Sequence, residues 1–149
     1  MARVALLDVN VLVALFDPDH VHHDLAHDWF AEYRGAGWAT CPITENGFVR
    51  VSNPRYRSDA ARPGVLIEQL RKFCESPDHR FWPATVSLRN RELFAVDAAR
   101  GHRQITDLYL LGLARKMEGA LATFDRTIPI AAVKGCRSDH LAVIAAEAE

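Results

Sequence analysis

The chain has 149 residues, 49% of them hydrophobic and 25% charged, with a formal net charge of −1. That length can bury a sizeable core within one domain, residues 1–149, and the composition excludes disordered, collagenous and membrane-spanning classes. Near-neutral charge also argues against nucleic-acid binding by bulk attraction alone. The charge is unevenly spread, however. Residues 1–50 carry 3 basic and 7 acidic side chains, residues 51–100 carry 9 and 6, and residues 101–149 carry 6 and 6. The basic middle is rich in arginine, whose planar fork suits phosphate. Cys41, Cys74 and Cys136 are odd in number and widely spaced, so neither a disulfide framework nor a thiolate zinc motif is expected. With one basic residue, Arg3, before the first apolar run, no conventional signal peptide is expected, and a cytoplasmic setting fits.

In chain order, the apolar run from Val4 ends abruptly in Asp8, followed by Val9 and Asn10 and then by Val11 to Phe16, which Asp17-Pro18 stops. This predicts a buried strand, a tight turn and an apolar helix, the opening of an α/β sheet. Asp8 is either an acid delivered to a strand tip or a cap of the following helix. His22 to Tyr33 spaces Leu25, Trp29 and Tyr33 as an amphipathic helix closed by Gly35 and Gly37. Its His23 and His27, four residues apart, either hold a transition metal or simply belong to a polar face.

Trp38 to Cys41 reads as a second strand, and Pro42 starts a helix that carries Glu45 and stops near Asn53-Pro54. Arg55-Tyr56-Arg57-Ser58 is a basic, aromatic loop suited to stacking and ion pairing with a polynucleotide, or an ordinary exposed connection. A helix is expected over Pro63 to Ser76 and a short strand over Arg80 to Trp82. The apolar spacing of Leu88, Phe94 and Val96 predicts another helix from Ser87 through Ala99, closed by Gly101. The clearest helix follows, with Thr106 as its N-cap, Asp107 in its first turn and Leu110, Leu111, Leu113, Ala114 and Met117 inward. Ala120 to Phe124 then forms a strand that delivers Asp125, and Asp139 to Ile144 a last one.

Strands alternating with helices imply a parallel sheet with right-handed crossovers. Asp8 and Asp125 then come from strand ends, and Glu45 and Asp107 from helix starts abutting the same edge. Four carboxylates so crowded repel, at least one pKa should rise, and a hard divalent ion would relieve the conflict.

These motifs together are similar to those of the PIN-domain nucleases, and more narrowly to the VapC-type toxin ribonucleases. Leu7 to Leu12 resembles the first acid motif, Thr44 to Arg50 the second, Ile105-Thr106-Asp107 the third and Ala122 to Asp125 the fourth. Val9 departs from the small hydroxyl residue common there. The resemblance implies a three-layer α/β fold with a central, mostly parallel sheet of four to five strands. It implies Asp8, Glu45, Asp107 and Asp125 as metal-binding catalytic carboxylates for one or two Mg²⁺ or Mn²⁺ ions, supported by Asn10, Thr106 and Thr123. The activity implied is RNA hydrolysis, with a cognate antitoxin as partner, a homodimer as the assembly, and Arg50, Arg55, Arg57 and Arg62 as candidate contacts for RNA or partner. Two alternatives exist. A phosphatase or phosphoacceptor domain also gathers acids at strand ends, but position 10 is asparagine where such phosphatases need aspartate. A catalytically silent binding module of the same fold is the other.

Overall fold

A computed structural model of the chain describes residues 3–52, 62–99 and 101–146. Among these residues five strands form one sheet: β1 (Ala5–Leu7), β2 (Trp38–Thr40), β3 (His79–Phe81), β4 (Ala120–Thr123) and β5 (Leu141–Val143). All four strand pairings are parallel and the order is β3-β2-β1-β4-β5. The chain therefore winds outward from β1 in one direction and returns to wind outward in the other. The crevice between β1 and β4 is the topological switch point, where ligands collect in open parallel sheets.

Among the described residues, five α-helices cover the sheet: α1 (Val9–Phe16), α2 (His23–Tyr33), α3 (Pro42–Ser52), α4 (Pro63–Phe73) and α5 (Ile105–Lys116). The pleat sorts alternate strand residues to opposite faces. Ala5, Leu7, Trp38 and Ala122 pack with α1, with Phe30 of α2, Phe48 of α3 and Leu66 and Leu70 of α4. Leu6, Ala39 and Leu121 pack with the leucines of α5 and with Trp82, Phe94, Ile128 and Val133. Three layers result, as the sequence suggests.

Helix α1 follows β1 without an intervening turn, because Asp8 is itself the N-cap and its carboxylate accepts the Val9 amide at 2.8 Å. At the other end of α1 two carbonyls left without a partner within the helix need donors. His23 Nδ1 donates to the Ala14 oxygen at 2.7 Å and His27 Nε2 to the Leu15 oxygen at 2.9 Å. The histidine pair thus clamps α2 onto the end of α1.

Five expectations are corrected. Residues 87–99 do not form a helix; they are turns followed by a short 3-10 helix, Val96–Ala98. The Ser87 hydroxyl accepts the Arg89 amide and Asn90 Oδ1 accepts the Glu92 amide, so side chains take the amide hydrogens a helix would use. Phe94 then bridges to Val133 and lies against Gly112, where any Cβ would collide with its ring. Helix α4 stops at Phe73, and the third strand runs His79–Phe81, one residue earlier than expected. Helix α5 is capped by Gln104 rather than Thr106, since a 3-10 turn, His102–Gln104, runs straight into it. Met117, expected inward, is exposed.

Candidate active site

The carboxyl end of β1 presents Asp8, which is only 7% exposed. Its Oδ1 is held by the Val9 amide and its Oδ2 accepts a hydrogen bond from Thr123 Oγ1 at 2.8 Å, across the β1–β4 crevice. The same Thr123 oxygen accepts the Asp125 amide at 3.1 Å. One hydroxyl therefore ties together the acids at the ends of two adjacent strands. Asp125 Oδ1 in turn accepts both the amide and the hydroxyl of Thr127, at 2.8 and 2.7 Å, which fixes its side chain in a tight turn. Thr127 was not singled out by the sequence, although an aspartate followed two residues later by threonine is a recurrent turn signal.

Asp107 enters from the first turn of α5 and is partly buried. Burial, followed by the charges of Asp8 and Asp125, pushes its carboxyl up from the ordinary 3.8 to about 6. Asp8 is also raised, chiefly by burial and further by Asp125, against the opposing hydrogen bonds from Thr123 and Val9. At the switch point Asp107 thus feels the charges of Asp8 and Asp125, and Asp8 that of Asp125.

Glu45 has different company. It lies in the first turn of α3, and its Oε2 accepts a hydrogen bond from Thr40 Oγ1 at 2.7 Å. His79 Nε2 lies 2.8 Å from the same hydroxyl. Because the single Thr40 proton goes to Glu45, His79 donates to Thr40. Cys74 is the third neighbour, its thiol pushed up to about 11 by burial and then by Glu45, with Thr40 opposing. His79 is lowered by burial and by Arg80, with Glu45 opposing, and so stays neutral near pH 7. Among the described residues, Glu45, Cys74 and His79 are the one group of three such side chains whose candidate ligand atoms all lie within 4.8 Å of one another. Asp8, Asp107 and Asp125 are thus linked through charge, while Glu45 has its own hydrogen-bonded company at the end of the neighbouring strand β2.

Of the other candidates, Asn10 is exposed in the first turn of α1 and Thr106 is exposed in the first turn of α5. Arg50 lies exposed in the last turn of α3, and Arg62 is the exposed N-cap residue of α4. Arg55 and Arg57 fall outside the described residues.

The donor set of the trio consists of carboxylate oxygens only, and burial with mutual repulsion leaves it short of positive charge. Both properties fit a hard divalent cation. No helix among the described residues is long and apolar enough to cross a membrane.

Comparison with known proteins agrees with this geometry. The PIN domain family model matches residues 5–134. Ribonuclease VapC44 of Mycobacterium tuberculosis is 45% identical over 143 residues, 94% of this chain and 99% of that protein. Ribonuclease VapC39 of the same organism is 43% identical over 132 residues, 88% of this chain and 95% of that protein. Ribonuclease VapC38 is 44% identical over 123 residues, 82% and 85% respectively. With its parallel sheet, its acids at the switch point and similarity along almost its whole length, the chain belongs to the PIN-domain family and, within it, to the VapC ribonucleases.

Proposed function

We propose that this protein is a divalent-metal-dependent endoribonuclease that acts as the toxin of a toxin–antitoxin pair. The observation that carries the reading is the coupling of Asp8, Asp107 and Asp125, brought from a strand end, a helix start and a second strand end to one crevice. The ribonuclease names of the relatives support the substrate class.

Asp8, Asp107 and Asp125 hold the metal, with Thr123 fixing the separation of Asp8 and Asp125 and Thr127 orienting Asp125. Mg²⁺ or Mn²⁺ bound there supplies positive charge to the scissile phosphate and acidifies a bound water. Asp107 must be ionised to take part, so below about pH 6 it holds a proton in competition with the cation. Glu45, held by Thr40 at the neighbouring strand end, serves from the rim through water. Exposed Arg50 and Arg62 give cationic contacts for the RNA backbone, a role also assigned to Arg55 and Arg57.

Exposed Val51, Val65 and Ile67 on α3 and α4 support docking of a protein partner near Arg50 and Arg62. That partner is read as the antitoxin, and the working assembly as a homodimer. The three cysteines are unpaired with one another, and a reducing cytoplasm is the setting we assign.

The test is incubation of purified protein with total cellular RNA in Mg²⁺, in EDTA and as Asp8→Ala. Internal cleavage in Mg²⁺, lost in EDTA and in the variant, is expected. Equal cleavage by Asp8→Ala would remove this site from the chemistry.

A further inference from the structure

We propose that Glu45, Cys74 and His79 form a second metal site, separate in its donor chemistry from the aspartate trio and selective for Zn²⁺ or a similar borderline-soft ion. The three side chains come from different elements: the first turn of α3, the residue that caps α4, and the first residue of β3. Their candidate ligand atoms already lie within 4.8 Å of one another. A tetrahedral zinc ion with bonds of roughly 2.0–2.3 Å places its ligands about 3.3–3.7 Å apart. Side-chain shifts of about 1 Å therefore suffice to close the site around an ion of this size.

Donor type decides which ion. One sulfur, one imidazole nitrogen and one carboxylate oxygen match zinc and disfavour Mg²⁺, which requires oxygen and sheds its waters reluctantly. Three protein ligands leave a fourth position for water or another group. The fully buried Thr40 hydroxyl donates to Glu45 Oε2 and receives from His79 Nε2, which orients both side chains and leaves Glu45 Oε1 and His79 Nδ1 as the atoms that ligate the ion. All three ligands are partly buried rather than sealed, which leaves an entry path from solvent.

Occupancy has a consequence for the neighbouring chemistry. Zinc would draw Glu45 toward Cys74 and His79 and away from the rim of the aspartate crevice, slowing RNA cleavage. That consequence rests on the nuclease reading, whereas binding at the site does not.

Binding is read first, by titrating the metal-free, reduced full-length protein with Co²⁺ and then displacing it with Zn²⁺. The expected result is a thiolate-to-cobalt charge-transfer band that saturates at one ion per chain and disappears on zinc addition. Cys74→Ser should abolish the band. His79→Gln should weaken Zn²⁺ affinity beyond the roughly 10–100-fold typical of an outer-shell change. Asp8→Asn should retain both band and affinity. Circular dichroism and thermal melts establish that each variant is folded, and Cys136→Ser controls for a thiol elsewhere. No band in the wild type, or a band that persists in both Cys74→Ser and His79→Gln, would overturn the proposal. In a second arm, micromolar Zn²⁺ at fixed excess Mg²⁺ should inhibit wild-type cleavage and leave Cys74→Ser unaffected. Should the protein fail to cleave RNA, the cobalt band still decides the site, so loss of one reading is distinguishable from loss of the other.

Discussion

Two acidic neighbourhoods share the carboxyl edge of the sheet, and they solve the cost of a half-buried carboxylate in opposite ways. Around Asp8, Asp107 and Asp125 the partners are other carboxylates, backbone amides and the hydroxyls of Thr123 and Thr127, none of them cationic, so charge stays unbalanced and Asp107 rises to about 6. Around Glu45 the partners are a hydroxyl, an imidazole and a thiol, all neutral near pH 7. The first arrangement stores repulsion that a cation relieves, and the second satisfies its acid without one. An acid at a strand end is thus not defined by its position; its neighbours decide what it can bind.

The sharpest way to break this contrast is to remove one charge from each side. Asp125→Asn should lower cleavage of RNA at saturating Mg²⁺ by more than about a hundredfold, exceeding a typical outer-shell effect, whereas Glu45→Gln should lose only about tenfold. Equal losses in initial rate would mean that Glu45 works inside the trio. A smaller effect is expected from the hydroxyls. Thr123→Val unties Asp8 from Asp125 and should reduce cleavage by roughly 10–100-fold, mostly by weakening Mg²⁺ affinity, while Thr40→Val should cost clearly less. Mg²⁺ titrations of the rate separate the two.

The smallest effect is in stability. Asp107 binds its proton more tightly when folded, so its stabilising contribution is complete below about pH 4 and is lost as pH rises through about 6. Asp107→Asn removes that loss. In EDTA at pH 7 the variant should gain on the order of 1–2 kcal/mol, after allowance for partial exposure, seen as a few degrees in Tm. The gain should vanish near pH 4, and Mg²⁺ should stabilise the wild type more than the variant. A variant less stable than wild type in EDTA would show that Asp107 is not under repulsion.

Much of this architecture could be read from residue spacing. The alternation of β1 with α1 and of α5 with β4 follows from apolar runs that end in an acid or a glycine, and the aspartates fall where those runs stop. Residues 87–99 misled because Leu88 and Phe94 mimic helical spacing while Ser87 and Asn90 take the amide hydrogens, a local competition that periodicity does not register. Asp8 was posed as either a cap or a site acid, and the structure makes it the cap while also placing it at the crevice. The company of Glu45 was not legible, because Cys74 and His79 approach it only once α4 and β3 have packed.

The bond from Thr123 to Asp8 joins positions 115 apart in sequence, and β4 must insert beside β1 before it can form. During synthesis Asp8 is therefore made well before the strand that supplies its hydroxyl partner. Fragments that end before Thr123 therefore lack the bond that joins the two strand ends and should be inert.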